Sequence, residues 1–274
     1  MKEFSPHDFV ANKGPLPFAL SDHLFVIRAL ILRDLRLRNQ HRGRLGFLND
    51  LIQPLVVIVL HYYVFIFINR FMPARIPVEL YVLGGFTTWF AFRDTSAKNI
   101  LAIENERGFI LIPRIQLAHV LAATAVWETA LSIAILYVGL FSSMVLLGSD
   151  PLPNVPLSIA AFCIAALLGT GFKLVFDSLG ERWPVIKGTK GAVTFLLFLT
   201  SGIYFGSTGS PSNQDILNRV VSFNPLFDLL EPQRHALWPG YPVAGISMLY
   251  PLTWALGLMF VGLLLRGWVR SRTP

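Results

Sequence analysis

Six long stretches of the chain carry no charged side chain: Leu51–Asn69, Leu80–Phe92, Thr129–Ser149, Pro151–Phe172, Gly191–Gln214 and His235–Leu265. Crossing about 30 Å of hydrocarbon takes about 20 mostly apolar residues in a helix. The second stretch reaches that length only if its helix continues through Arg93 and Asp94 to about Ala102. The third starts near Gln116 if Glu128 lies inside the span. The pattern predicts six membrane helices at about 50–69, 80–102, 116–148, 157–179, 187–205 and 246–268. Composition agrees, since only 14% of the residues are charged and 54% are hydrophobic, whereas soluble domains carry about 25% charged residues. A soluble core-and-shell domain, a disordered chain and a collagen-like chain are excluded. Cys163 is the single cysteine, so an intrachain disulfide is excluded as well.

The basic residues set the orientation. Eight precede the first expected span: Lys2, Lys13, Arg28, Arg33, Arg36, Arg38, Arg42 and Arg44. Arg70 and Arg75 follow it, then Lys98, Arg107 and Arg114 on the next turn. The loop Gly148–Pro156 has none. With Arg93 set aside as intramembrane, alternate compartments hold 18 and 4. Cytoplasmic segments retain Lys and Arg, so both termini are expected in the cytoplasm. The net charge of +7 is thus read as topology, and nucleic acid is not expected as a partner. The first 47 residues lack an apolar h-region, so no cleavable signal peptide is expected.

Two units are expected: residues 1–47 as a cytosolic lead-in with an amphipathic helix, and 48–274 as the membrane domain. In the first, Leu20, Leu24, Ile27, Ile31 and Leu35 recur at helical spacing with Arg33 and Arg36 opposite. Such a basic helix before a span lies at the headgroups or packs on the protein itself. The cytosolic turn Ile103–Ile115 carries the apolar run Phe109-Ile110-Leu111-Ile112, which in water would call for a partner or a membrane surface. Segment 206–245 is rich in Gly, Pro, Ser and Asn, yet it contains Phe223, Leu226, Phe227, Leu229, Leu230, Leu237 and Trp238. It is too apolar for a solvated loop and too broken for a span. A re-entrant pair of short helices is expected there, covered by protein. Pro232 should interrupt the first helix or start the second, and Glu231 and Arg234, three apart, can meet on one helical face.

Catalytic signatures are missing. No phosphate-binding loop G-x-x-x-x-G-K-[ST], no H-E-x-x-H and no nucleophile elbow occurs. The six histidines lack metal-ligand spacing. Gly84-Gly85 and Gly169-x-Gly171 read as close helix packing. Arg93, Asp94 and Glu128 are costly inside a membrane unless paired or wet. Arg93 can reach Glu128 at similar depth, pair with its neighbour Asp94, or line a wet cavity.

The segment Asn224-Pro225-Leu226, Glu231, Arg234 and Pro239-Gly240-Tyr241 resembles the N-P-L-x4-E-x2-R-x4-P-G-Y signature of polysaccharide-export ABC transporter permeases. Leu32-Arg33-Asp34-Leu35-Arg36, Arg44-Leu45-Gly46-Phe47, Gln53-Pro54, Ala102-Ile103-Glu104 to Gly108, and Glu128-Thr129 resemble other parts of that family in the same order. The likeness runs from about residue 30 to the C-terminus and is nearest to the capsular-polysaccharide branch. Gln53 departs from it, because an acidic residue is usual before that proline. Arg93-Asp94 departs too, where small hydroxyl residues are common.

The resemblance implies a multi-pass permease of the bacterial inner membrane, paired with a second copy and with two cytosolic ABC ATPase subunits. The chain itself would bind no cofactor, ATP and magnesium being held by the ATPase. Lipid-linked, acidic capsular polysaccharide would move from cytoplasm to periplasm, with periplasmic and outer-membrane export proteins as further partners. An O-antigen or teichoic-acid type exporter is the alternative. Glu104, Glu106, Arg107, Phe109, Ile110 and Leu111 would form a coupling helix, and Arg182 would belong to a second cytosolic contact over Glu181–Lys190. Asn224, Pro225, Glu231, Arg234, Pro239 and Tyr241 would build a re-entrant gate. A sugar channel would offer aromatic faces for sliding, and Tyr62, Tyr63, Trp89, Phe92 and Arg93 are its candidates. A stand-alone secondary transporter would call for inverted repeats, and a membrane glycosyl- or acyltransferase for clustered carboxylates or histidines. The sequence shows neither pattern.

Overall fold

The computed structural model describes residues 20–42, 46–68, 75–97, 116–204, 221–242 and 247–271. Eight helices are described: α1 (Leu20–Arg42), α2 (Gly46–Phe67), α3 (Val78–Ala97), α4 (Leu117–Leu147), α5 (Val155–Arg182), α6 (Pro184–Thr200), α7 (Phe227–Leu237) and α8 (Leu249–Arg270). No strand occurs among the described residues. Four helices are long and apolar enough to cross a membrane, over Leu48–Phe67, Leu117–Leu147, Val155–Arg182 and Leu249–Val269. The expected turn at Ile103–Ile115 and all of 206–220 lie outside the described residues.

Helix α3 is the centre of the bundle. Every residue from Leu80 to Phe92 is buried, and α2, α4, α5 and α7 pack around it. Its composition follows from that position. The helix carries Glu79, Arg93 and Asp94 because protein encloses it, and protein can supply partners that lipid cannot. Arg93 Nε donates to Asp94 Oδ1 at 2.6 Å, and its guanidinium lies 4.5 Å from the Phe90 ring centroid. Of the arrangements open to Arg93, pairing with its neighbour is formed. Thr87, Thr88 and Thr95 donate to carbonyls one turn back, which satisfies their hydroxyls inside the core.

Helix α5 packs closely against both α3 and α8. A Cβ on Gly169 would lie 2.5 Å from the Phe92 carbonyl, and one on Gly171 would lie 2.9 Å from Leu258 Cβ. The pair thus works as a two-sided notch, one glycine for each neighbour. Asn154 opens α5 by accepting the Leu157 N–H on its side chain, a standard N-cap. Only Trp183 separates α5 from α6. It ends the first with its N–H on the Leu179 carbonyl and starts the second, where Pro184 occupies the first turn. The expected boundary near 187 therefore moves to 184. Helix α6 stops at Thr200 instead of 205, because Gly202 takes φ +82°, the left-handed conformation that ends helices.

Helix α1 packs on α4. Leu30 meets Val120 and Ala123, with Val26, Ile27, Ile31 and Trp127 beside them. His23 Nδ1 lies 2.7 Å from His119 Nε2. Leu24, Phe25 and Leu32 remain exposed. One face of the basic helix thus rests on the protein while apolar side chains remain on another.

Candidate functional site

The described part of the expected re-entrant segment holds the helical residues Val221 and Ser222, a turn, the short helix α7 and a second turn after it. Asn224 fixes the start of α7. The side-chain oxygen accepts the Leu226 N–H at 3.0 Å, and the amide nitrogen donates to the Leu197 carbonyl and Thr200 Oγ1, each at 2.8 Å. One asparagine thus starts the turn before α7 and ties it to the end of α6. Pro225 restricts the backbone between these contacts. Pro232 lies inside α7 and does not break it. The lost N–H costs one helical bond, and the buried contacts of the neighbouring Glu231 and Arg234 hold the helix through that point.

Those two residues form the centre of the site. Arg234 Nη1 donates to Glu231 Oε1 at 2.6 Å, and both side chains are 0% exposed. Arg234 Nη2 donates to the Gly202 and Ile203 carbonyls at 2.9 and 3.2 Å. The guanidinium carbon stands 3.6 Å from the Tyr81 ring centroid, a cation–π contact. Tyr81 Oη in turn donates to the Gly202 carbonyl at 3.5 Å. Tyr241 Oη shares its hydrogen between the two Glu231 oxygens, 2.9 Å from each.

The proline–glycine turn brings Tyr241 back to the helix. Its N–H donates to the Trp238 carbonyl at 2.9 Å, and its own carbonyl accepts from His235 Nδ1 at 2.6 Å. Pro239 and Gly240 are the two central residues of this turn, and a Cβ on Gly240 would come within 3.2 Å of Trp238 Nε1. The polar residues of the N-P-L to P-G-Y signature thus have identified contacts: Asn224 to α6, Glu231 to Arg234 and Tyr241, and Arg234 to the α6 end and α3.

Sequence reasoning does not find Tyr81 or the carbonyls of Gly202 and Ile203. Its one trace of them is Gly84-Gly85. A Cβ on Gly85 would lie 3.2 Å from Arg234 Nη2, and one on Gly84 would lie 3.2 Å from Leu237 Cδ1. The two glycines let α7 lie against α3.

The other candidates are placed as follows. Trp89 and Phe92 are buried in an aromatic seam of α3, α5 and α6, with Trp89 5.0 Å from Phe198 and Phe92 5.6 Å from Phe172 between centroids. Tyr63 is exposed and Tyr62 half-buried, their rings edge-on at 5.3 Å. The structure does not bring these two together with Trp89 and Phe92 in one wall. His61 of α2 does reach the seam. Its Nδ1 donates to the Val57 carbonyl at 2.8 Å, which leaves Nε2 to accept from Tyr204 Oη at 3.2 Å. Arg182 is exposed at the α5–α6 bend with Glu181, Trp183 and Val185. Behind the bend, Lys190 Nζ donates to Asp177 Oδ1 at 3.1 Å, and Lys173 lies 3.8 Å from the other Asp177 oxygen. Glu104, Glu106, Arg107, Phe109, Ile110 and Leu111 lie outside the described residues.

Polysialic acid transport protein KpsM of Escherichia coli is 26% identical to the chain over 241 residues, which is 87% of this chain and 91% of the relative. The chain is similar to this transport protein along most of its length. A second Escherichia coli protein of the same name is 27% identical over 244 residues, with the same coverage. The resemblance first carried by scattered motifs therefore extends over nearly the whole length of both. No protein-family model matches the chain.

Proposed function

We propose that the chain is the membrane permease subunit of an ABC exporter that moves lipid-linked, acidic capsular polysaccharide from cytoplasm to periplasm. The near full-length similarity to two polysialic acid transport proteins is the observation that carries this reading. Polysialic acid is an anionic sugar polymer, which fits an acidic substrate class. In this reading the chain supplies the path, and a separate ATPase supplies the energy. A second copy completes the channel, with six spans per copy formed by α2, α3, α4, α5, α6 and α8. The α7 segment closes the outer end, braced by the Glu231–Arg234–Tyr241 network. The cytosolic turn around Phe109 and the α5–α6 bend at Arg182 receive the ATPase.

The test is copurification followed by transport. The tagged chain, extracted from its native membrane, should bring down a Walker-containing ATPase and a lipid-linked glycan. Vesicles holding both proteins should move that glycan only with ATP. Transport by the chain alone would replace this reading with a secondary transporter.

A further inference from the structure

Two lysines from different helices meet on one carboxylate between α5 and α6. Lys190 Nζ donates to Asp177 Oδ1 at 3.1 Å, and Lys173 Nζ lies 3.8 Å from Asp177 Oδ2. Their access differs: the Lys173 side chain is 6% exposed, that of Lys190 20% and that of Asp177 39%. Lys190 and Asp177 can thus be reached from outside the bundle, with Lys173 behind them. An ammonium group carries three donors, and Lys190 spends one of them on Asp177. Two ammonium groups on one carboxylate leave the three side chains together with a net positive charge.

The cluster sits at the edge of the apolar part of both helices. The uncharged stretch of α5 ends at Phe172, one residue before Lys173. Val155–Phe172 alone is about 27 Å of helix, close to the thickness of the hydrocarbon. Lys173 and Asp177 therefore follow at the boundary with the headgroups. On α6 the uncharged stretch begins at Gly191, one residue after Lys190, so Lys190 meets the same boundary from its own helix.

Beside Lys190 the surface is open. No residue of α6 is buried, and a Cβ on Gly188 or Gly191 would meet nothing within 4 Å. Phe195, Leu196 and Leu199 carry the exposed face of α6 on into the span. A ligand here meets cationic donors at one end and an apolar face at the other. A lipid phosphate is anionic and accepts hydrogen bonds, and its acyl chains need such a face. Basic pockets between helices at the cytoplasmic end of spans suit acidic headgroups for this reason. A free cation would be repelled by two ammonium groups set against one carboxylate.

We propose that Lys190, with Lys173 behind it, binds the phosphate of an anionic lipid in the cytoplasmic leaflet, the acyl chains lying along the exposed face of α6. The proposal rests on the exporter reading for its side of the membrane. Asp177 competes with the phosphate for Lys190 and so sets how tightly the lipid is held. The phosphate belongs either to a resident membrane lipid or to the lipid that carries the glycan.

The experiment titrates the complete transporter with its ATPase, in neutral detergent, with dioleoylphosphatidic acid and separately with dioleoylphosphatidylcholine, whose phosphate is capped by its own cation. Native mass spectrometry counts the bound lipid. The wild type should retain phosphatidic acid well above phosphatidylcholine. Lys190→Gln should weaken that retention about fivefold, the share of one basic residue at a membrane surface, and Lys190→Arg should keep it. Asp177→Asn should strengthen it, because the competing anion is gone. A purely structural ion triad predicts lower melting temperatures for Lys190→Gln and Asp177→Asn with lipid retention unchanged, and that result overturns the site. Equal retention of the two lipids by the wild type overturns it as well. So does displacement of phosphatidic acid by millimolar inorganic phosphate, which makes the ligand a soluble one. Separation of the two copies by Lys190→Gln, with no lipid bound to the wild type, would give this face of α6 to the second copy instead. Glycan export in cells, at equal membrane abundance, assigns the source. Export lost in Lys190→Gln gives the site to the glycan's lipid, and normal export gives it to a resident phospholipid. A wild type that retains phosphatidic acid but exports no glycan would overturn the exporter reading and leave the site.

Discussion

At Glu231 and Arg234 the protein holds a charge pair with no access to water. Desolvating two charges costs about as much as their attraction returns, but removing one partner leaves the other uncompensated, at about 3–5 kcal/mol. Glu231→Ala and Arg234→Ala should therefore each lower the melting temperature of the purified protein and impair export, and the double variant should lose less than the sum. Tyr241→Phe removes one hydrogen bond to a charged group and should cost about 1.5–3 kcal/mol. Thermal denaturation of the four variants, read as a double-mutant cycle, checks this. Additive losses would mean that the pair does not act as a unit. The meeting of Glu231 with Arg234 is legible in their spacing of three. The contribution of Gly202 is not, because it lies 32 residues from Arg234 and presents only a backbone carbonyl.

At the scale of elements, most helices are legible because loss of charge and helical length coincide. Helix α4 is expected at 116–148 and found at Leu117–Leu147, and α8 at 246–268 and found at Leu249–Arg270. The α5–α6 bend is displaced because the chain turns on the single residue Trp183, and the charges on both sides blur the hydropathy signal. Close approach gives a sharper test than boundaries do. Gly169→Ala would place a methyl 2.5 Å from the Phe92 carbonyl, so α5 and α3 must separate, at about 1–3 kcal/mol. A Cβ on Gly257 meets nothing within 4 Å. Gly257→Ala should then be neutral or stabilise α8 by up to about 1 kcal/mol. Comparable effects of the two on melting temperature would remove the notch as an explanation. The proposed cytosolic turn offers a second test at this scale. Replacing Phe109, Ile110 and Leu111 together with Ser should detach or uncouple the ATPase, because a buried apolar anchor is worth about 2 kcal/mol or more. Copurified ATPase and glycan-stimulated hydrolysis measure it, and unchanged values would assign the anchor elsewhere.

The whole molecule carries exposed apolar side chains on the outer helices and polar partners at its centre. Exposed large apolar residues include Ile52, Val56, Leu60 and Phe67 on α2, Phe195 and Leu196 on α6, and Phe260 and Leu264 on α8. Surfaces of that kind suit lipid or a second copy. The less apolar α3 has no such surface, and its buried polar groups have partners within the protein. Helix α6, at 17 residues, spans about 26 Å, close to the hydrocarbon thickness, so six crossings fit the proposed topology. The proposed direction rests on the 18 basic residues that this topology puts on one side against 4 on the other, since such an excess holds a chain on the cytoplasmic side. In the proposed topology the loop after α4, which exposes Leu152, faces outward, and Glu106 is expected on the opposite side. In a Cys163→Ser background, which removes the native thiol, an impermeant maleimide applied to intact cells should label Leu152→Cys and spare Glu106→Cys. Permeabilised cells should label both. Labelling of Glu106→Cys in intact cells would place that turn outside. The turn carrying Phe109 could not then receive a cytosolic ATPase, and the exporter reading would lose its coupling site.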